Sequence, residues 1–222
     1  MIQPATLKFL KDLRKNNDRI WFDKNRARYE TAKDDFHQFI AELIPALSKI
    51  DPELASLEPK DCVFRIYRDV RFSKNKDPYK SNFSASINVG GKKSRNCGLY
   101  LQIDPTKEGM GNMIAGGFWM PEAPVLKQLR QEVEYNTDEF KGIIKNKTFK
   151  KWFDELLDYK LKKAPKGVDP THPDIELLKY TSFVATHSLT DAEVLSKDFV
   201  KTVATGYKTM KPLLDFLNRG LG

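Results

Sequence analysis

The chain has 222 residues, of which 40% are hydrophobic and 31% are charged, with 14 Phe, 8 Tyr and 3 Trp. This composition supports a buried core and excludes an intrinsically disordered chain. No apolar run approaches the roughly 18 residues that span a bilayer, and the amphipathic N-terminus lacks the apolar region of a signal peptide. We therefore expect a cytoplasmic protein with no membrane partner.

The net charge of +8 is concentrated in one part of the chain. Residues 62–97 carry nine basic and two acidic side chains, whereas residues 1–61 are neutral and residues 98–222 carry a net charge of +1. A charge concentrated in this way indicates either an anionic partner or a local ion-pair network.

Residues 1–60 show the apolar spacing of helices. A first helix is predicted over Pro4–Lys15, and Asp18 is a candidate N-cap for the next one. The apolar stripe that follows predicts a long helix from about Arg19 to Ile50, which Pro45 would kink or split.

Residues 61–120 mainly show strand patterns. Four segments are predicted as strands: CVFRIY from Cys62, FSASINVGG from Phe83, GLYLQIDP from Gly98 and MIAGGFWMP from Met113. Gly116 and Gly117 interrupt the last of these, which indicates a bulge or a close approach of another backbone segment.

Residues 121–222 are mixed and mostly helical. Helices are predicted over Pro124–Tyr135, Asp138–Lys147, Phe149–Tyr159 and about Lys197–Asn218, with a fifth strand over Lys179–His187 and a capping box at Thr190 and Glu193. Taken in chain order, these elements predict a single α+β domain. Its largely antiparallel sheet of about five strands would pack with N-terminal and C-terminal helices.

The most basic stretch is Cys62–Lys80. Its alternation, continued to Phe72, predicts one strand face that carries a row of polar side chains, with Arg68 on the opposite, mostly apolar face. Arginine side chains bind carboxylate and phosphate groups through two parallel hydrogen bonds. We therefore predict a site for an anionic ligand, either a phosphate-bearing molecule or the nucleic-acid backbone. Its ligand-binding residues are predicted to be Arg65, Arg68, Asp69, Arg71, Lys76, Tyr79 and Lys80.

Two other functions are open for the same residues. In an enzyme that acts on a phosphorylated small molecule or nucleic acid, the arginines would clamp the substrate, and Tyr79 or Lys76 would supply a proton. In a structural or interaction protein, Asp69 would bridge the arginines in an internal ion-pair network. Nearby arginines lower the pKa of a carboxylate, so we expect Asp69 to orient arginines or hold a metal rather than transfer protons.

No cofactor signature is found. The three histidines form no HxH, HxxxH or HExxH pattern, and Cys62 and Cys97 do not belong to a CxxC pair. The glycines of Gly109–Gly117 lack the third glycine of the dinucleotide fingerprint, and no P-loop motif occurs. We predict no metal and no cofactor; His187, at a strand end, is the histidine with the best chance of a functional role. The oligomeric state is open.

The basic stretch also resembles a motif of the family catalogued as domain of unknown function 2461. That motif has the form R-x-x-R-D-x-R-F, followed after a short spacer by Asp or Asn and then K-x-x-Y. NNDRIWFDKNRARYE, GLYLQIDP and GGFWMP are similar to other parts of the family. The resemblance implies a bacterial cytoplasmic protein with one domain, but no activity, because none is established for the family. The matching motif residues are Arg65, Arg68, Asp69, Arg71, Phe72, Asn75, Lys76 and Tyr79.

Overall fold

A computed structural model of the protein describes residues 1–106 and 109–221. Within these ranges the protein is α+β, with helices before and after a four-stranded antiparallel sheet. The predicted fold class is confirmed, with four regular strands described where about five were expected.

The strands are β1 (Phe83–Ile87), β2 (Leu99–Ile103), β3 (Asn112–Phe118) and β4 (Phe183–Leu189), hydrogen-bonded in that order. The helices are α1 (Pro4–Lys15), α2 (Arg19–Lys24), α3 (Arg26–Ser48), α4 (Pro59–Cys62), α5 (Ala123–Tyr135), α6 (Thr137–Ile144), α7 (Lys147–Phe153), α8 (Ile175–Leu178), α9 (Asp191–Val194) and α10 (Phe199–Arg219). Two short 3-10 helices cover Pro52–Ser56 and Gly91–Lys93.

The long helix predicted from Arg19 is two helices, α2 and α3. The Asp18 carboxylate accepts a hydrogen bond from the Trp21 amide at 2.9 Å, which confirms it as the N-cap of α2. Asn25 ends that helix because its backbone leaves helical geometry and its side-chain amide donates to the Trp21 carbonyl. Pro45, in contrast, lies inside α3 without ending it.

The strand predicted from Cys62 to Phe72 is wrong. Cys62 is the last residue of α4, and the segment after it forms only isolated antiparallel bridges, Val63 to Ala85 and Tyr67 to Tyr79. Four residue steps separate Val63 from Tyr67, but six separate their bridge partners, so two extra residues on the second side interrupt the ladder. We call the segment of residues 63–80 the basic arm, and its turn, residues 68–77, the arm loop.

The described chain divides into two compact units. One comprises Met1–Ser94, Tyr100–Ile114 and Ser188–Thr205 and contains the basic arm. The other comprises Arg95–Leu99, Ala115–His187 and Gly206–Gly222. The single-domain organisation stays a prediction.

The first unit has an aromatic core between α3 and its neighbours. The Phe83 ring of β1 stacks on Phe36 of α3 with centroids 5.6 Å apart, and Phe39 stacks on Phe199 at 4.7 Å. The predicted capping box is confirmed at Thr190 and Glu193, whose side chains each bond to the other's backbone amide.

Close packing in the second unit explains the two glycines of β3, Gly116 and Gly117. A Cβ atom on Gly117, which has a φ of 117°, would lie 1.9 Å from the Phe183 carbonyl oxygen, and one on Gly116 would lie 1.8 Å from the Met210 sulfur. The predicted close approach is therefore confirmed. Helix α7 ends at Phe153, before the predicted Tyr159, because Asp154 adopts a positive φ of 57°.

Candidate functional site

The base of the basic arm is fixed through Tyr79. Its ring lies parallel to Phe22 of α2, with centroids 3.9 Å apart, and is 5% exposed. The Asn17 side chain, in the turn between α1 and α2, donates to the Tyr79 carbonyl at 2.9 Å and accepts from its amide at 3.1 Å. Tyr79 is therefore an anchor, and burial raises the pKa of its hydroxyl, which disfavours its predicted role as a proton donor.

Tyr67 lies opposite Tyr79 on the arm, with ring centroids 5.5 Å apart. It is 40% exposed and packs against Phe22 of α2, and its hydroxyl interacts with Arg26 of α3, whose guanidinium donates to Asp23 at 3.0 Å. Aromatic and charged side chains from the helices therefore hold this part of the arm.

The arm loop is closed by hydrogen bonds of its own side chains. Arg68 donates to the Asp77 carbonyl at 3.0 Å and to the Ser73 hydroxyl at 3.2 Å, and Lys76 donates to the Val70 carbonyl at 3.0 Å. Both cations thus have a structural task. The sequence predicts Arg68 on the mostly apolar face of a strand. In the structure its guanidinium instead stabilises the arm loop through these two hydrogen bonds.

Asp69 and Arg71 form a bidentate pair within the arm loop. The Arg71 guanidinium donates to the two Asp69 carboxylate oxygens at 2.9 and 2.6 Å, and the Arg71 amide donates to the same carboxylate. These bonds hold the pKa of Asp69 below its usual range, with a smaller contribution from the charge of Arg65. The expectation that arginines lower this pKa is confirmed, and Asp69 is poorly suited to act as a base near neutral pH.

Arg65 and Lys80 lie near the base of the arm and have free charges. Among the residues that the structure describes, neither side chain has an ion-pair or hydrogen-bond partner. The Lys80 ammonium lies 5.4 Å from the centroid of the Phe64 ring. Burial lowers the pKa of Lys80, and the positive charge of Arg65 lowers it further. Two like charges thus lie near enough to repel each other, and no acid of the described chain forms an ion pair with either.

The seven predicted residues therefore separate into three groups. Arg65 and Lys80 are brought together with free charges; Arg68, Asp69, Arg71 and Lys76 are engaged within the arm loop; and Tyr79 is buried. No pattern in the sequence assigns a role to the side chains that hold the arm, because they lie some 40 to 60 positions earlier in the chain. Of these, Asn17, Phe22 and Arg26 fall within the NNDRIWFDKNRARYE segment, and the family resemblance of that segment was the available signal.

The first unit also contains a groove, which is less suitable as an anion site than the basic arm. This groove of about 380 Å³ lies between α1 and Asp191. Two of its three lysines are neutralised, since Lys8 pairs with Asp12 at 2.8 Å and Lys11 pairs with Asp191 at 2.9 Å.

His187 and the two cysteines lie in packed surroundings. His187 Nδ1 lies 2.7 Å from the Trp152 carbonyl oxygen, and its ring packs on Trp152. Cys62 and Cys97 are free and buried, and burial raises the pKa of the Cys62 thiol to about 11. In residues 1–106 and 109–221, no cluster of three or more His, Cys, Asp or Glu side chains could hold a metal ion. No helix in the same ranges is long and apolar enough to cross a membrane.

The fold and the site define an α+β protein with a cationic arm anchored on an aromatic cluster. The chain belongs to the family described as conserved hypothetical protein (DUF2461), whose model matches residues 5–216. No curated protein and no solved structure matches the chain.

Proposed function

We propose that the protein binds an anionic, phosphate-bearing ligand at Arg65 and Lys80. The observation that carries this proposal is that Arg65 and Lys80 both lie at the base of the arm, and within the described chain no acid forms an ion pair or hydrogen bond with either side chain. Burial, and then the positive charge of Arg65, lower the pKa of Lys80. Like charges held close together destabilise the free protein. A bound anion would relieve that repulsion.

The chemistry of the two side chains favours phosphate. A guanidinium offers a planar fork that matches two phosphate oxygens, whereas an ammonium acts as a compact point charge for a third. The anchored base of the arm supports the proposal, because the contacts of Asn17 and Phe22 with Tyr79, next to Lys80, limit the entropy that ligand binding would cost. We also propose a cytoplasmic setting, which the two free cysteines support, since disulfides are rare in that compartment.

The test is titration calorimetry with inorganic pyrophosphate on the full chain and on three variants that each remove one positive charge. Arg65→Gln and Lys80→Gln should each weaken binding about tenfold or more, because each loses a charged hydrogen bond. Lys93→Gln is the matched control, since Lys93 is exposed and lies outside the basic arm but within the net-positive range of residues 62–97. Equal losses in all three variants would show only diffuse attraction, and absence of pyrophosphate binding to the unmodified chain would refute the proposal.

A further inference from the structure

An aromatic side chain stands at the tip of the basic arm. Phe72 is 94% exposed, although most large apolar side chains of the described chain are buried. A single exposed apolar residue is common on protein surfaces and means little by itself. Phe72 differs because it lies in a loop that is held in shape and its ring lies beside the Arg71 guanidinium.

The hydrogen bonds of the arm loop hold Phe72 in the solvent. Arg68 and Lys76 tie the two sides of the loop together, and Asn75 exchanges two hydrogen bonds with Asp77. The Arg71 guanidinium lies 5.8 Å from the centroid of the Phe72 ring. The loop thus presents one bare aromatic face beside positive charge, with part of the ordering cost already met by folding.

The free cations continue this surface toward the base of the arm. Arg65 precedes Arg68 by three residues, or about 10 Å of extended backbone. The arm therefore offers an aromatic face at its tip and uncompensated positive charge about one loop length away. A partner that uses both features must carry a π face and a negative charge, and it must follow the arm.

We propose that the basic arm binds single-stranded nucleic acid, with Phe72 stacked on an unpaired base and Arg65 and Lys80 on backbone phosphates. This inference rests on the proposed phosphate site. Aromatic stacking combined with a cationic track is how proteins bind single strands without sequence preference. A duplex fits less well, because its bases are already stacked on each other.

The geometry favours a strand over a lipid surface. A flat bilayer that accepted Phe72 would meet the tip of the arm and leave Arg65 and Lys80 behind it. Stable membrane binding also needs more than one weak anchor, whereas a flexible strand can lie along the arm and reach both ends.

The experiment is fluorescence anisotropy of the full chain with a labelled oligothymidylate of about twelve nucleotides. An abasic strand with the same number of phosphates is measured in parallel. Phe72→Ala should weaken binding to the oligothymidylate about five- to hundredfold, the equivalent of one lost stacking interaction, and leave binding to the abasic strand unchanged. Tyr135→Ala is the matched control, since Tyr135 is an aromatic residue with 78% exposure on α5. Arg65→Gln should weaken binding to both strands.

The outcomes separate this inference from the proposed function. If Phe72→Ala and the unmodified chain bind the oligothymidylate equally, or if neither strand binds while pyrophosphate does, the nucleic-acid inference is overturned and the phosphate site stands. If vesicles of phosphatidylserine and phosphatidylcholine bind in a Phe72-dependent way and the oligothymidylate does not, the partner is a lipid surface and the inference is likewise overturned. If pyrophosphate also fails to bind, both proposals fall.

Discussion

The Phe22 ring of α2 lies parallel to the Tyr79 ring of the basic arm, with centroids 3.9 Å apart and an angle of 11° between the ring planes. Phe22 also packs against Tyr29 of α3 at 5.0 Å and against Tyr67 at 6.1 Å. One buried phenylalanine thus joins the N-terminal helices to both sides of the arm. The position of the arm depends on this contact because the arm has only two isolated bridges of its own.

Replacement of Phe22 by alanine should strongly destabilise the protein. The ring is fully buried, and truncation of a buried phenylalanine typically costs about 3–5 kcal/mol. Urea denaturation followed by circular dichroism measures the free energy of unfolding. Ile20→Ala is the matched control on the same helix, because Ile20 is 71% exposed and should change stability by less than about 0.5 kcal/mol. Similar losses for the two variants would contradict the structural role of the stack.

Replacement of Asn17 by alanine should loosen the arm at its base. The change removes two hydrogen bonds to the Tyr79 backbone, and the expected cost is about 1–3 kcal/mol. Hydrogen exchange should become faster at the Tyr79 amide, which loses its acceptor. Asn16→Ala provides the comparison, since the Asn16 side chain bonds only to Asp12 within the same chain segment and should leave exchange at Tyr79 unchanged. Unaltered protection in the Asn17 variant would rule out this anchor.

Elements that are determined by local interactions are predicted correctly, whereas elements that depend on pairing with other parts of the chain are not. Helix α1 has its predicted bounds because its apolar spacing and its proline near the start are local signals. The arm was mispredicted because its alternation is local but its pairing is not. Two extra residues on the partner side interrupt the ladder, and Pro78, which has no amide hydrogen, lies next to the bridge at Tyr79.

The same distinction applies to the site. The charge count correctly located an excess of cations, but it could not show which of them would be free. Arg68 and Lys76 are occupied by carbonyl groups of the arm loop, and backbone acceptors are invisible in a count of acidic side chains. Phe72 belongs to the basic motif, but no pattern in the sequence shows whether a phenylalanine is buried.

Alanine substitutions at two glycines of the second unit should change the stability of the protein in opposite directions. Gly117→Ala should be strongly destabilising, because its φ of 117° disfavours any side chain and the Phe183 carbonyl occupies the space. Gly142→Ala should stabilise the protein by about 0.5–1 kcal/mol, since Gly142 lies inside α6 with open space around it. Thermal unfolding of the two variants is the measurement. A Gly117 variant as stable as the unmodified chain would contradict the close approach of β3 and β4.

Lys80→Met should leave the free protein as stable or slightly more stable while it weakens anion binding. Burial and Arg65 disfavour the charged form of Lys80 in the folded state and lower its pKa, so removal of the charge relieves this penalty and gives up only the weak cation–π contact with Phe64. We expect a gain of at most about 1 kcal/mol in the free energy of unfolding near neutral pH. A residue whose replacement stabilises the fold but impairs binding is typical of a functional site.

The pH dependence of the same variant tests the cause. Because the folded-state pKa of Lys80 lies below its unfolded value, the unfolded chain binds more protons in the window between the two. The contribution of Lys80 to the free energy of unfolding should therefore rise as the pH increases through the folded-state pKa. It should level off near pH 10.5, the ordinary pKa of lysine. Lys80→Met should lack this rise, whereas Lys93→Met should keep it. Urea denaturation at several pH values between about 8 and 10.5 supplies the comparison, and identical profiles for the two variants would refute a strained charge at Lys80.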